Sequence, residues 1–224
     1  TKALGTLAAD IREEEIIKVY GIDAPYYCLT ESLCWPILEE IIKSKLMTEP
    51  MEVNERMREL ALKMPVGSTV LTVVKLVEQM ALYYNQTKSI GTLKLNTPEE
   101  YVQQYVNEYY LMDMFYRRAL EAYHELVTLD IPIEAVINEA KRQLDQEYAK
   151  MANVMNLEWL TCVKEKGEAF RGVTLGRQQN FYRTEGDGTV KQVVIVSDAL
   201  RYEVAVELMQ QLAKEKHIAT LTPY

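Results

Sequence analysis

Apolar positions along this chain recur mostly with the three-to-four-residue beat of α-helices, until a β-branched run breaks the beat near the end. Residues 4–20 place Leu7, Ile11 and the pair Ile16-Ile17 among acidic neighbours and close at Gly21, which predicts a first helix. After the D-A-P break at 23–25, a second helical segment runs to about residue 46. Pro36 inside it predicts a kink or a fresh helix start. Met57, Leu60, Ala61 and Met64 mark one buried face of the next segment. P-V-G-S at 65–68 then ends that helix and offers Ser68 as the cap of the following one. Residues 69–84 are apolar on nearly every side, the mark of an enclosed central helix, with a strand pair as the competing reading.

T-P-E-E at 97–100 is the clearest helix start. Thr97 caps, Pro98 fits the first helical position and Glu100 completes a capping box. The helix it opens is expected to reach Leu129 and carries Tyr101, Tyr105, Tyr109, Tyr110, Tyr116 and Tyr123, with Phe115 among them. Such a stripe is either a base-stacking platform or an ordinary packed face, and burial against a neighbouring helix is the favoured reading. A further long helix from Asp130-Ile131-Pro132 to about Lys166 aligns Ile133, Val136, Ala140, Leu144, Tyr148, Met151 and Met155. No fixed-period repeat is present, so a regular solenoid is not supported.

Composition changes at Gly167. Glycines at 167, 172, 176, 186 and 188, with the turn E-G-D-G, mark a boundary between a helical domain at 1–170, a linker at 171–190 and a new domain at 191–224. Residues 190–196 read as a strand buried on both faces. Residues 202–216 read as a helix with Val204, Ala205, Leu208, Met209 and Leu212 on one face, and 217–221 as a second strand. The fold class expected is therefore mainly α, a multi-helix domain followed by the first βαβ unit of an incomplete α/β core. Two strands do not make a stable sheet alone. With the start at Thr1-Lys2-Ala3, this suggests a piece of a larger protein.

Composition narrows the function. Among 224 residues, 48% hydrophobic and 26% charged are ordinary for a globular protein, and charges interrupt every apolar run before membrane-spanning length. Acidic residues number 33 against 25 basic, a net −8, so no basic surplus advertises a nucleic-acid-binding domain. Cys28, Cys34 and Cys162 hold no C-x-x-C pair and leave an odd thiol, which fits reduced cysteines in the cytoplasm. Neither a G-x-G-x-x-G nor a G-x-x-x-x-G-K-[ST] loop occurs, which argues against a nucleotide-binding or receiver domain.

The candidate chemistry lies in V-V-I-V-S-D-A-L-R-Y-E, residues 193–203. Asp198 falls at the carboxyl end of the expected strand, where α/β sheets bind ligands. Its carboxylate suits Zn²⁺, Mg²⁺ or Mn²⁺. Equally, Asp198 or Ser197 caps a helix beginning near Ala199. Arg201 has the planar fork that grips a phosphate, against a salt bridge to Glu203, which is the favoured reading. Glu203 reads as a first-turn acid suited to the helix dipole.

V-V-I-V-S-D-A-L-R-Y-E-V-A-V-E-L, preceded by Q-Q-N-F-Y at 178–182, resembles the opening signature of the PglZ domain, a branch of the alkaline phosphatase superfamily found in BREX phage-defence systems. The specific similarity covers about residues 178–221, and the short path from Arg183 to Val190 departs from the helix that such proteins place there. The resemblance implies a metal-dependent phosphoric-ester hydrolase core of alkaline-phosphatase-like fold, with phosphatase or nuclease chemistry. It gives Asp198 the role of metal ligand to zinc, magnesium or manganese and leaves the catalytic nucleophile unknown, expected past Tyr224. It implies other BREX proteins as partners, admits DNA as a partner of the full-length protein, and involves no membrane. His124 and His217 do not supply the missing ligands, so the chain alone is expected to be inactive. The alternative is a helical protein-interaction module of a defence complex with no catalytic role.

Overall fold

The computed structural model describes residues 31–91, 93–166, 197, 200–218, 220 and 221, together with Val19. The protein is mainly helical over these residues, and among them no strand occurs. The expected helix at 4–20, the boundary at 167–190 and the strand at 190–196 lie outside the described residues.

Helix α1 spans Glu31–Ser44 and runs through Pro36 as one element, so no fresh helix starts at the proline. The apolar side of this helix makes that tolerable: Cys34, Ile37, Leu38, Ile41 and Ile42 are all buried, and their burial outweighs the one backbone bond that a proline removes. Helix α2 spans Pro50–Ala61 and buries Val53, Met57 and Leu60, as the periodicity requires. The loop after it turns at Gly67, whose φ of 83° is a left-handed conformation that favours glycine. Ser68 then caps α3, Thr69–Ser89, its side-chain oxygen accepting the Leu71 N–H at 3.1 Å.

Helix α3 buries Val70, Val73, Val74, Leu76, Val77, Met80, Ala81, Tyr83 and Tyr84. A helix therefore forms despite four valines, because it packs against both α1 and α2 and tertiary burial overrides β-branched propensity. Tyr83 meets Tyr84 edge-on, with ring centroids 5.6 Å apart.

The expected single helix from Thr97 to Leu129 is instead three consecutive pieces. Helix α4 spans Pro98–Gln104, a π-helical turn occupies Tyr105–Tyr109, and α5 spans Tyr110–Leu126. The capping box forms with a small shift. Thr97 Oγ1 accepts the Glu100 N–H at 3.2 Å, while the Glu100 carboxylate accepts the N–H of Asn96 at 2.8 Å rather than that of Thr97. Helix α6, Glu134–Glu165, buries Ile137, Ala140, Leu144 and Cys162. Ile137, one place beyond the expected Val136, occupies the buried seam. The last described helix, α7, spans Tyr202–Lys214.

The chain divides into two compact units. The first comprises residues 1–91 and 115–153, and the second comprises 92–114 and 154–224. The first unit holds α1–α3 with most of α5 and the first part of α6; the second holds α4, the π turn and α7.

Helix α7 ends in a Schellman motif. The His217 N–H donates to the Leu212 carbonyl at 2.9 Å, and the Lys216 N–H donates to that of Ala213 at 3.1 Å. Lys216 adopts φ 61° to make this turn, a position where glycine is the unstrained residue. Beyond it, the described residues of the expected second strand at 217–221 carry no strand pairing, and Ile218 is fully exposed.

Candidate functional site

The residues singled out for chemistry surround the start of α7 in the second unit. Helix α7 begins at Tyr202 rather than near Ala199, and its N-cap is Arg201 in an extended conformation with no capping side chain. Ser197 and Leu200 precede it outside any element, so Ser197 does not serve as the cap. Asp198 lies outside the described residues.

Arg201 reaches back over the first turn, with Nη1 3.8 Å from Glu203 Oε1. That distance makes an ion pair but is beyond hydrogen-bond length. The pair is lopsided: the Arg201 side chain is 65% exposed and Glu203 is wholly buried. Glu203 is thus the first-turn acid that was expected, and a wholly buried one. Removing a carboxylate from water is tolerated only where positive charge compensates, and both Arg201 and the partial positive charge of the α7 N-terminus lie on its side.

Beside Glu203, Tyr202 packs edge-on against Tyr110, with ring centroids 5.3 Å apart and an interplanar angle of 83°, and against Tyr105 at 6.3 Å. Such T-shaped contacts bring the electropositive edge of one ring to the face of another. Burial, and then the neighbouring Tyr110 hydroxyl, pushes the Tyr202 pKa up from its ordinary value. Tyr105 in turn donates its hydroxyl proton to Asp113 Oδ2 at 2.6 Å. The π turn at Tyr105–Tyr109 supplies the rotation that separates Tyr105 from the ordinary helical register, and such turns recur at functional positions. Three tyrosines and two carboxylates thereby anchor the first turn of α7. Sequence reading missed this cluster, whose one advance signal was the aromatic density of residues 101–110.

The stripe of six tyrosines is no open stacking platform. Tyr101 and Tyr109 are buried, and the Tyr101 ring meets Trp159 edge-on at 5.7 Å. In the first unit Tyr116 lies face to face with Tyr148, centroids 3.8 Å apart, and donates its hydroxyl to Asp145 at 3.0 Å. Tyr123 donates to Asn138 at 2.8 Å. The rings serve packing and side-chain hydrogen bonds, as the favoured reading expected.

Elsewhere in the first unit, Lys75, Gln79, Arg118, Glu121, Ala122 and Glu125 line a cleft of about 240 Å³ between α3 and α5. Burial, and then the neighbouring Arg117 charge, lowers the Arg118 pKa. Two cations and two carboxylates share its lining, so it selects for neither sign.

Cys34 and Cys162 are free and buried. Burial first, and the Glu31 carboxylate second, pushes the Cys34 thiol up to about 12, which makes it a packing group rather than a nucleophile. Among the described residues no group of three or more His, Cys, Asp or Glu side chains is arranged to hold a metal ion. His124 stands exposed beside Tyr123, and His217 is exposed past the end of α7. No described helix is long and apolar enough to cross a membrane.

Comparison with known proteins finds no matching family model, no matching curated protein and no matching solved structure.

Proposed function

We propose that this chain belongs to a PglZ-type protein of a BREX phage-defence system, a helical region followed by the opening βαβ unit of an alkaline-phosphatase-like core. The observation that carries the reading is the order of elements around V-V-I-V-S-D-A-L-R-Y-E. The apolar run precedes a helix that starts only at Tyr202, so S-D-A-L belongs in sequence to the connection between the two. That connection is where an open α/β sheet gathers its ligands. In this reading Asp198 is a ligand to a zinc, magnesium or manganese ion. The exposed guanidinium of Arg201, 3.8 Å from Glu203, has N–H donors to offer a phosphate oxygen.

The described residues do not assemble a metal-ligand set. A carboxylate engaged as a metal ligand is not also the attacking group, and one such ligand does not make a Lewis-acid clamp. The parent protein in this reading hydrolyses phosphoric esters, works in the cytoplasm and acts with other BREX proteins, with DNA as a candidate substrate.

The decisive experiment compares Asp198→Asn with wild type in the longest natural chain carrying this sequence. Manganese and zinc affinity is measured by calorimetry, and phosphodiester hydrolysis by release of a chromogenic leaving group. The reading expects at least a tenfold loss of metal affinity and loss of metal-dependent hydrolysis, with an unchanged circular dichroism spectrum. Metal binding that is indifferent to Asp198→Asn overturns it.

A second reading, a non-catalytic interaction module, has its own support. Val154, Leu157 and Leu160 recur every three residues along α6 and are all exposed. If that reading is right, Leu157→Asp abolishes co-purification with other defence proteins and leaves hydrolysis untouched.

A further inference from the structure

Four tyrosines of the first unit form an unbroken run of neighbouring rings, and the outer end of the run rests on a carboxylate. Tyr84 meets Tyr83 edge-on with centroids 5.6 Å apart, Tyr83 meets Tyr148 at 6.3 Å, and Tyr148 lies parallel to Tyr116 at 3.8 Å. Tyr83 and Tyr84 are buried, while Tyr148 and Tyr116 are half-buried, so the run leads from the core towards the surface. All four belong to the same compact unit.

The outer pair departs from ordinary aromatic packing. Rings prefer edge-on or offset arrangements with centroids about 4.5–7 Å apart, as Tyr101 and Trp159 do at 5.7 Å. Tyr116 and Tyr148 are closer than that range and only 4° from parallel, which gives their π faces extensive overlap. Two phenols so placed share a missing electron, because the electron-rich face of each stabilises positive charge on the other.

Loss of one electron makes a phenol O–H strongly acidic, so the electron leaves readily only where a base takes the proton. Tyr116 has that base: its hydroxyl donates to Asp145 Oδ1 at 3.0 Å. The Lys141 ammonium donates to the other carboxylate oxygen, Oδ2, at 2.6 Å and holds the carboxylate in place. Near neutral pH the phenol does not ionise by itself, since burial first and the Asp145 bond second push its pKa up to about 12. Tyr123, further along the same helix, is the contrast. Its hydroxyl donates to the neutral amide of Asn138 at 2.8 Å, and the Lys141 ammonium lies 5.6 Å from its ring, where it opposes positive charge.

We infer that Tyr116 is a redox-active tyrosine, the end point of a one-electron path through Tyr84, Tyr83 and Tyr148. An oxygen-derived radical takes one electron from the run and becomes its anion. The Tyr116 O–H bond breaks, the proton forms a new O–H bond on Asp145 Oδ1, and a neutral tyrosyl radical remains on the stacked pair. Return of one electron reverses both steps, and the Lys141 ammonium, which favours the ionised carboxylate, favours the proton's return. Such a site drains oxidising equivalents from the core. It is independent of the hydrolase reading, whose residues lie in the other unit.

Pulse radiolysis of the longest natural chain carrying the sequence tests this, with azide radical as the oxidant. The tyrosyl absorbance and its electron paramagnetic resonance spectrum are the readouts. Wild type is expected to hold a long-lived tyrosyl radical whose formation slows at least twofold in heavy water. Tyr116→Phe is expected to cut the long-lived signal at least tenfold, and Tyr123→Phe to leave it unchanged. Asp145→Asn keeps an acceptor for the phenol bond but takes no proton, so it is expected to slow formation at least tenfold. That variant carries the test alone if Tyr116→Phe does not fold. Absence of a long-lived radical in wild type, its survival in folded Tyr116→Phe, or formation as fast in Asp145→Asn as in wild type overturns the inference.

Discussion

Replacing Leu76 by alanine tests whether α3 is the enclosed helix around which the first unit is built. Leu76 is 1% exposed and sits among Val73, Val77 and Met80, all buried. The substitution removes three carbon groups, and at about 0.8 kcal/mol each the lost transfer energy is about 2.4 kcal/mol. The neighbours relax only in part, and the remaining void raises the total to about 3–4 kcal/mol. The two tryptophans make the assay specific, because Trp35 lies in the first unit and Trp159 in the second. In a Trp159→Phe background, fluorescence reports Trp35 alone as urea is added. Leu76→Ala is expected to lower the transition midpoint with an unchanged slope, as a pure loss of stability does. Leu62→Ala, at a residue 87% exposed, is the control and is expected to stay within about 0.5 kcal/mol of wild type. A Leu76→Ala effect below about 1 kcal/mol refutes the placement of that side chain in a sealed core.

The remaining predictions concern helix ends and titration. Thr97→Ala removes the acceptor for the Glu100 N–H and is expected to destabilise the second unit by about 1 kcal/mol, read from Trp159 fluorescence in urea. Lys216→Gly relieves the left-handed strain of the α7 Schellman turn and is expected to stabilise by about 0.5–1 kcal/mol, measured in the same way. Cys34, Tyr84 and Tyr116 are each pushed up to about 12 by burial first. Tyr116 is helped by the proton it donates to Asp145. The folded state therefore holds these protons more tightly than the unfolded chain, whose thiol and phenols ionise near their ordinary values. Above about pH 9 the unfolded state binds fewer protons, so stability is expected to be level below that pH and to fall as pH rises towards 12. Urea midpoints at pH 8 and pH 10.5 measure the difference. A midpoint unchanged between them contradicts the burial of all three groups.

What the sequence determined by itself is mostly local. Ser68 and Thr97 announced their helix starts because a hydroxyl one residue ahead of a helix meets a free N–H within the same turn. The enclosed character of residues 69–84 was legible in their apolar surround. Tertiary contact decided the rest. The valines of α3 are helical because α1 and α2 cover them. Pro36 stays inside a helix because a buried apolar side holds both halves together. The six tyrosines split between two units, and a π turn that no periodicity foretold interrupts the helix that carries them. The clearest case is the start of α7, where sequence read Glu203 as a first-turn acid and set Leu208 on the apolar face but gave the burial of neither. Glu203 does stand in the first turn, wholly buried next to Arg201, while Leu208 is half in water. Amphipathic spacing states which residues share a face, but the rings of Tyr105 and Tyr110, nearly a hundred positions away, decide which face goes inward. Contacts that distant in sequence leave no trace in local periodicity, because they form only once the chain has closed around them.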